Sequence, residues 1–505
     1  MGGIVYFVGA GPGHPGLITL RGVECLQRAD VVLYDYLANA QILCHASKSA
    51  ELICLGRHRR SDVWSQESIN AELVRRAKLG QTVVRLKGGD PMIFGRAAEE
   101  ITALNEADIR FEIVPGVTTA SAAGAYAGVT ITDRRYASAV ALVTGHEQLG
   151  KPDSALDYQS LANFPGTLVV YMGVRTAPQW SQALLDAGKP PETPVLMVRR
   201  CSWPNQQRIA CTLGEVAQQL TPYQSFPPPV VVVIGEAARA NPDFDWFRHL
   251  PLLGLGVVVT RPIHQAESMV SRLSELGANA ILQPAIEIRD PTDWQPVDDA
   301  IRRLKEFDYL VFSSANGVHY FLNRLRDQGL DARSLGGTQL AVIGPRTAAA
   351  LGEYSLNADL KPESYRAEAL VEALVKANVR DKHVLLLRAS RGREVLAEEL
   401  TAAGASVEQV VVYESRDVID CAPSVEEQWP DTDWVTVTSS AIARSVVALW
   451  GERLAEVKLA SISPITSQTL RDLGHEVAAE AEVYTTDGLI DAILKVESTQ
   501  STRKV

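Results

Sequence analysis

Lys87-Gly88-Gly89-Asp90-Pro91 closes the apolar run Thr82 to Leu86 with two glycines, a carboxylate and a proline. A strand that stops this way makes a binding loop. Glycine, having no Cβ, lets the backbone reach van der Waals contact with a ligand, and Asp90 offers an acceptor at the strand end. A second loop of this kind, Gly9-Ala10-Gly11-Pro12-Gly13-His14-Pro15-Gly16, follows the apolar run Ile4 to Val8 and leads into a helix-like Leu17 to Ala29 and a further strand that ends at Tyr34-Asp35. The third glycine of a dinucleotide fingerprint would fall at His14, and Pro12 and Pro15 stiffen the turn, so a nicotinamide site is disfavoured.

The second half carries an approximate repeat. Asp308-Tyr309-Leu310-Val311-Phe312-Ser313-Ser314-Ala315 is echoed by Asp433-Trp434-Val435-Thr436-Val437-Thr438-Ser439-Ser440-Ala441, and each is followed by a strand ending in a proline turn, Ile343-Gly344-Pro345-Arg346-Thr347 and Ile462-Ser463-Pro464-Ile465-Thr466. A strand that stops at Ser-Ser before a helix exposes hydroxyls and backbone N–H groups where a carboxylate can be held. Two similar lobes are expected.

The elements that position these residues alternate from end to end: Val-, Ile- and Leu-rich strands with helix-period segments, which predicts an α/β fold with mostly parallel sheets. A chain of 505 residues, 46% of them hydrophobic, is too long for one core. Residues 1 to about 115 hold strands at 4–8, 31–34, 52–55 and 82–86, and a second α/β unit runs from about 118 to 240. The pattern breaks at 246–255, the expected linker, and a tail covers 496–505. A net charge of −11 argues against a nucleic-acid surface, and no apolar run approaches a membrane span, so a cytoplasmic protein without a membrane or nucleic-acid partner is expected. The six cysteines form no Cys-x-x-Cys pair, so neither a metal site nor a disulfide framework is indicated.

Taken in order, the first loop, Tyr34-Asp35, Arg85 to Gly95, Val114-Pro115-Gly116-Val117-Thr118-Thr119-Ala120, Val143-Thr144-Gly145-His146 and Tyr171-Met172-Gly173 resemble the uroporphyrinogen-III C-methyltransferases over roughly the first half, 1–245. The resemblance implies a two-domain tetrapyrrole methylase fold, S-adenosylmethionine as methyl donor, and a homodimer formed through this half. It implies donor contacts from Pro12, Gly88, Gly89, Asp90, Ile93, Thr118, Thr119, Met172 and the backbone near Cys201. Asp35 becomes a candidate for accepting a proton or orienting a pyrrole N–H, with a turn role as the alternative. Three departures matter: His14 replaces the usual acid, Arg199 to Pro204 replaces a glycine-containing stretch, and Arg57 replaces a lysine. Arginine does not release its proton near neutral pH, so Arg57 is expected to clamp a substrate carboxylate.

Residues 256–495, with Val257 to Pro262, Leu385 to Ser390 and Val410-Val411-Val412-Tyr413-Glu414-Ser415, look like uroporphyrinogen-III synthase. That family implies a bilobal α/β fold, here 256–285 with 418–495 as one lobe and 286–417 as the other. It also implies closure of hydroxymethylbilane with loss of water and inversion of the last pyrrole. Ser313, Ser314, Thr347, Ser439, Ser440 and Thr466 are the expected carboxylate receptors, and Tyr413 either assists departure of the hydroxyl or is a packed aromatic. Arg261 and Arg388, at strand ends, could pair with carboxylates or form surface ion pairs. Together the halves imply a bifunctional enzyme acting on tetrapyrroles; the alternative is a precorrin methyltransferase of other position specificity fused to a non-catalytic bilobal tetrapyrrole-binding module.

Overall fold

The computed structural model describes residues 2–56, 64–146, 156–221, 225–239, 241–364, 367–391 and 395–501. The chain divides into two compact units, residues 1–257 with 271–280 and 494–505, and residues 258–270 with 281–493. In the first unit, β1 (Ile4–Gly9), β2 (Val31–Tyr34), β3 (Glu51–Cys54), β4 (Thr82–Lys87) and β5 (Arg110–Val114) form a sheet of order β3-β2-β4-β1-β5, parallel throughout. Alternate residues of a strand face opposite sides. Val8, Val32 and Val84 pack with Cys25 and Leu26 of the helix Leu20–Gln27, whereas Val5, Phe7, Val31 and Val83 pack with Leu104 of the helix Ala97–Glu106. The chain therefore leaves β1 and β4 toward opposite faces. These two strands are neighbours, so their carboxyl ends flank a crevice of the kind that binds ligands in α/β sheets.

The second sheet comprises β6 (Val140–Thr144), β7 (Thr167–Tyr171), β8 (Pro194–Arg199), β9 (Gln207–Thr212) and β10 (Val230–Ile234), in the order β6-β7-β10-β8-β9. Here the expectation of mostly parallel pairing fails. Only β6 and β7 run parallel; β10 is antiparallel to β7 and β8, and β8 to β9. The connection 200–206 is too short for a parallel crossover, which needs a dozen residues or more. The apolar run of β10 reports burial on both faces and not strand direction: Val230, Val232 and Ile234 enter one core, Val231 and Val233 another. Residues 246–255 pack closely, with Phe247 and Leu252 buried. Leu252 N–H donates to Leu276 O (2.9 Å) and Asn279 N–H to Leu255 O (2.8 Å), which ties residues 271–280 to the first unit.

Ten further strands follow: β11 (Gly256–Val259), β12 (Asn279–Leu282), β13 (Ile286–Arg289), β14 (Tyr309–Phe312), β15 (Gln339–Val342), β16 (His383–Ala389), β17 (Ser406–Asp417), β18 (Trp434–Val437), β19 (Lys458–Ser461) and β20 (Ala479–Glu480). They make two sheets, β12-β11-β18-β19-β20 and β13-β17-β16-β14-β15. The chain begins the first, leaves to build the second, and returns through β18. β13 is antiparallel to β17, while β14 to β17 pair in parallel. Leu310 and Phe312 of β14 enter one core and Tyr309 and Val311 another, so this sheet is covered on both faces. Among the described residues no helix is long and apolar enough to cross a membrane.

Candidate active sites

At the crevice of the first sheet three strand-end loops touch backbone to backbone. Gly11 and Gly89 exchange N–H···O bonds of 3.2 and 2.7 Å. A Cβ on Gly9 would lie 2.5 Å from Gly116 Cα, and one on Gly116 would lie 2.2 Å from Gly89 O, so neither position admits a side chain. Gly89 has φ +67°, the left-handed region that glycine adopts without penalty. Asp90 fastens the same junction: its carboxylate accepts from Met92 N–H (2.8 Å) and Gly116 N–H (3.0 Å). A Cβ on Gly89 would meet only Thr119 Oγ1, at 4.0 Å, so the floor of the crevice is open between Gly89 and Thr119.

Beneath the crevice lies a network of four charges. Arg85 and Lys87 project from β4 and are buried; the fully buried Glu100 accepts from Lys87 Nζ (2.8 Å) and pairs with Arg85 Nε (3.4 Å). Arg85 Nη2 in turn donates to Asp35 Oδ1 at 2.8 Å. Asp35, 29% exposed in its side chain, is the member that reaches solvent. Burial, reinforced by the nearby Arg85, holds the Lys87 ammonium below its ordinary pKa. Two cations and two anions close the network at zero net charge, which is what makes its burial tolerable.

The opposite wall comes from the second sheet and the helix Thr119–Ala127. Tyr171 Oη bonds Thr118 Oγ1 (2.7 Å) and accepts from Ala120 N–H (2.9 Å), so a tyrosine at the end of β7 occupies the helix start. Its pKa is raised, chiefly by burial. The next residue, Met172, takes φ +55° and is 51% exposed, a costly conformation for a side chain that covers no core. Phe94, also left-handed at φ +54°, sets its ring 5.1 Å from that of Tyr171. The segment Arg199 to Pro204 braces the first glycine loop. Trp203 stacks on Gly13, where a Cβ would lie 2.1 Å from the indole, and donates to Pro12 O (3.1 Å). Ser202 Oγ accepts from His14 N–H, and His14 Nδ1 caps the turn at Gly16. Cys201 is buried, and burial pushes its thiol up to about 12.

In the second unit, Ser314 caps the helix Ala315–Asp327 by accepting from Gly317 N–H (3.1 Å), and its hydroxyl bonds Tyr413 Oη at 3.0 Å. Tyr413 is buried and stacked on Tyr320, with its pKa raised by burial. Ser439 caps the helix Ser440–Trp450 in the same way, and Ser440 accepts from Thr469 Oγ1 (2.9 Å). Ser313 donates to Leu387 O. Thr347 and Thr466 differ from expectation. They are 3% and 2% exposed inside the first turns of their helices, and Ser463, not Thr466, holds the cap of the helix Pro464–Asp472.

The two halves match separate family models: tetrapyrrole (corrin/porphyrin) methylases over residues 4–217, and uroporphyrinogen-III synthase HemD over 267–491. Over 98% of its length the chain is 30% identical to a porphyrin biosynthesis protein HemD of Ruminiclostridium josui, of which 98% is covered. The chain belongs to this family of tetrapyrrole methylases fused to HemD-type synthases. A uroporphyrinogen-III C-methyltransferase of Bacillus subtilis is 39% identical over 66% of this chain and 68% of its own. A siroheme synthase of Zymomonas mobilis is 43% identical over 48% of this chain and 51% of its own.

Within this methylase half, the structure brings Pro12, Gly88, Gly89, Asp90, Thr118 and Thr119 to the loops that border the crevice, and Ile93 follows in the Asp90 turn. Asp90 is committed to backbone N–H groups. Arg57 lies outside the described residues. Sequence reasoning missed Tyr171, Trp203 and the Arg85–Glu100–Lys87 network. A signal for the network was present: Arg85 and Lys87 interrupt an otherwise apolar central strand, and buried charges require partners.

Two consequences are measurable. Gly116→Ala should destabilise the methylase half by about 1–3 kcal/mol, the usual range for overpacking, because the methyl group meets backbone on two loops. Wild-type denaturant stability of that variant would show that the junction gives way. Glu100→Gln leaves Lys87 and Arg85 short of a buried counter-charge and should cost about 3–5 kcal/mol. The double variant Lys87→Met with Glu100→Gln should recover most of that loss, and thermal unfolding of both variants beside the wild type checks it.

Proposed function

We propose that the chain is a bifunctional enzyme of tetrapyrrole synthesis. Its second half cyclises hydroxymethylbilane to uroporphyrinogen III, and its first half methylates that product twice, with S-adenosylmethionine, to precorrin-2, which feeds sirohaem or corrinoid routes. The observation that carries this reading is the pairing in one chain of a uroporphyrinogen-III synthase match and a tetrapyrrole methylase match, since the first would make what the second consumes.

The open crevice between Gly89 and Thr119 suits a methyl donor, for its floor is backbone that a ligand can approach closely. Bound S-adenosylmethionine supplies an electrophilic methyl group. The attacking atom belongs to the pyrrole, so this chain has to orient substrate and exclude water and needs no strong nucleophile of its own. Pro12, Gly88, Gly89, Ile93, Thr118, Thr119, Met172 and the backbone at Cys201 hold the donor, and Asp90 keeps their loops together. Asp35, with Oδ1 tied to Arg85, turns Oδ2 to a pyrrole N–H, and Arg57 clamps a substrate carboxylate. In the second half, helix starts at Ser314 and Ser440 receive acetate and propionate groups through backbone N–H groups. Tyr413 assists departure of the hydroxyl as water while the ring closes.

Supplying hydroxymethylbilane and S-adenosylmethionine to the full chain and identifying the products tests both halves. Dimethylated type III product is expected. Only the type I isomer, which forms when the open chain closes spontaneously without inversion, would remove the synthase activity; methylation of a precorrin at another position would favour the other specificity. Asp90→Ala should lose donor affinity at least tenfold (about 1.4 kcal/mol or more) while cyclisation continues; unchanged affinity would separate the loops from the donor. Tyr413→Phe should lower turnover more than it raises KM if the phenol acts in the transition state. Wild-type turnover to the type III isomer would leave Tyr413 as a cap partner of Ser314.

A further inference from the structure

β11 runs into Thr260-Arg261-Pro262, and the Arg261 side chain turns inward, with only 4% of the residue exposed. A guanidinium at that depth is ordinarily matched by a carboxylate. Arg261 has none among the described residues. Its Nη2 donates to the neutral amide oxygen of Gln265 at 3.2 Å, and its Nε is buried with no acceptor at all. The charged neighbour that acts on it is another cation, the exposed Arg346 in the first turn of the helix Pro345–Gly352. Desolvation, and after it this repulsion, bring the Arg261 guanidinium down to about 10, so it remains charged at neutral pH. Arg388, the other arginine at a strand end, is by contrast already engaged, donating from Nη1 to Gln409 Oε1 at 2.6 Å.

The surroundings of Arg261 lead to the Tyr413 cluster. Gln265 Nε2 donates to Asn316 Oδ1 at 3.0 Å, and Asn316 bonds Tyr413, whose hydroxyl meets the Ser314 cap. An unpaired buried cation, a second cation beside it and a helix start therefore converge in one place, and an anion is the group that would resolve all three.

We propose that Arg261, with Arg346 beside it, is a receptor for one carboxylate of the polycarboxylic tetrapyrrole substrate, held next to the Tyr413 cluster. Such a carboxylate accepts from the orphaned Nε and an Nη of Arg261 and neutralises the two like charges. The inference rests on the synthase reading given above.

The test uses the full chain carrying Arg261→Met, Arg261→Lys or the exposed Arg346→Ala. Removing an unmatched buried cation should leave the ligand-free melting temperature of Arg261→Met unchanged or higher, whereas a merely structural guanidinium would lower it. KM for hydroxymethylbilane should rise about tenfold or more, with kcat within about threefold, in line with lost ground-state binding. Arg261→Lys should recover part of the loss, and Arg346→Ala should show a smaller rise in KM. A wild-type KM in both Arg261→Met and Arg346→Ala overturns the receptor while leaving the synthase reading intact. If Arg261→Met does not fold, Arg261→Lys and Arg346→Ala decide by the same KM criterion. If the wild-type chain fails to convert hydroxymethylbilane, the synthase reading falls, and titration with uroporphyrin III, an octacarboxylate, still judges the receptor. Binding weakened about tenfold by Arg261→Met upholds it; equal binding by both proteins, or none by the wild type, overturns it.

Discussion

Contact between backbones at Gly9, Gly89 and Gly116 is the constraint on which the methylase half depends. Three loops from the ends of β1, β4 and β5 can meet only where no Cβ intervenes, and a side chain on Gly9 or Gly116 would be driven into the neighbouring loop. Everything around the junction serves to keep it closed. Asp90 spends its carboxylate on N–H groups of its own loop and of Gly116, and Trp203 presses on Gly13 from the second sheet. The crevice floor that results is made of peptide groups rather than side chains. A surface of this kind recognises a ligand by shape and by hydrogen bonds to fixed dipoles, and it has little to reorganise on binding.

The two halves treat buried charge in opposite ways. Below the methylase crevice Asp35, Arg85, Glu100 and Lys87 sum to zero, and the network holds Asp35 through its Oδ1 while leaving the side chain partly exposed. In the synthase half Arg261 is buried without an acid among the described residues. A closed network is rigid and costs little to keep in the absence of ligand. An uncompensated cation costs stability until an anion arrives, and that difference in free energy becomes available for binding.

Hydroxyls in the second unit illustrate how residue type and residue role separate. Ser314, Ser439 and Ser463 all sit at strand-to-helix junctions, yet each turns its oxygen back to its own helix as a cap. What these junctions leave for a ligand is the set of backbone N–H groups in the first turn, which lack intrahelical acceptors. Thr347 and Thr466 lie within the first turns of their helices and are covered by packing.

The positions of the glycine loops, the α/β alternation and the change of pattern near residue 250 could be read from the chain alone, because each is a local demand. A backbone that must pass within van der Waals distance of another requires glycine, and apolar periodicity reports burial within a few residues. Strand direction in the second sheet was not legible, since Val230 to Ile234 has the same apolar run whether its neighbours are parallel or antiparallel. Nor were the partners of Arg85, Lys87 and Arg261. Glu100 lies one helix away from β4, and whether an acid reaches the end of β11 is decided by how distant elements pack. Sequence thus determined where the chain can approach a ligand; only the tertiary structure decided which charges are already matched and which are left for one, because pairing joins residues far apart along the chain.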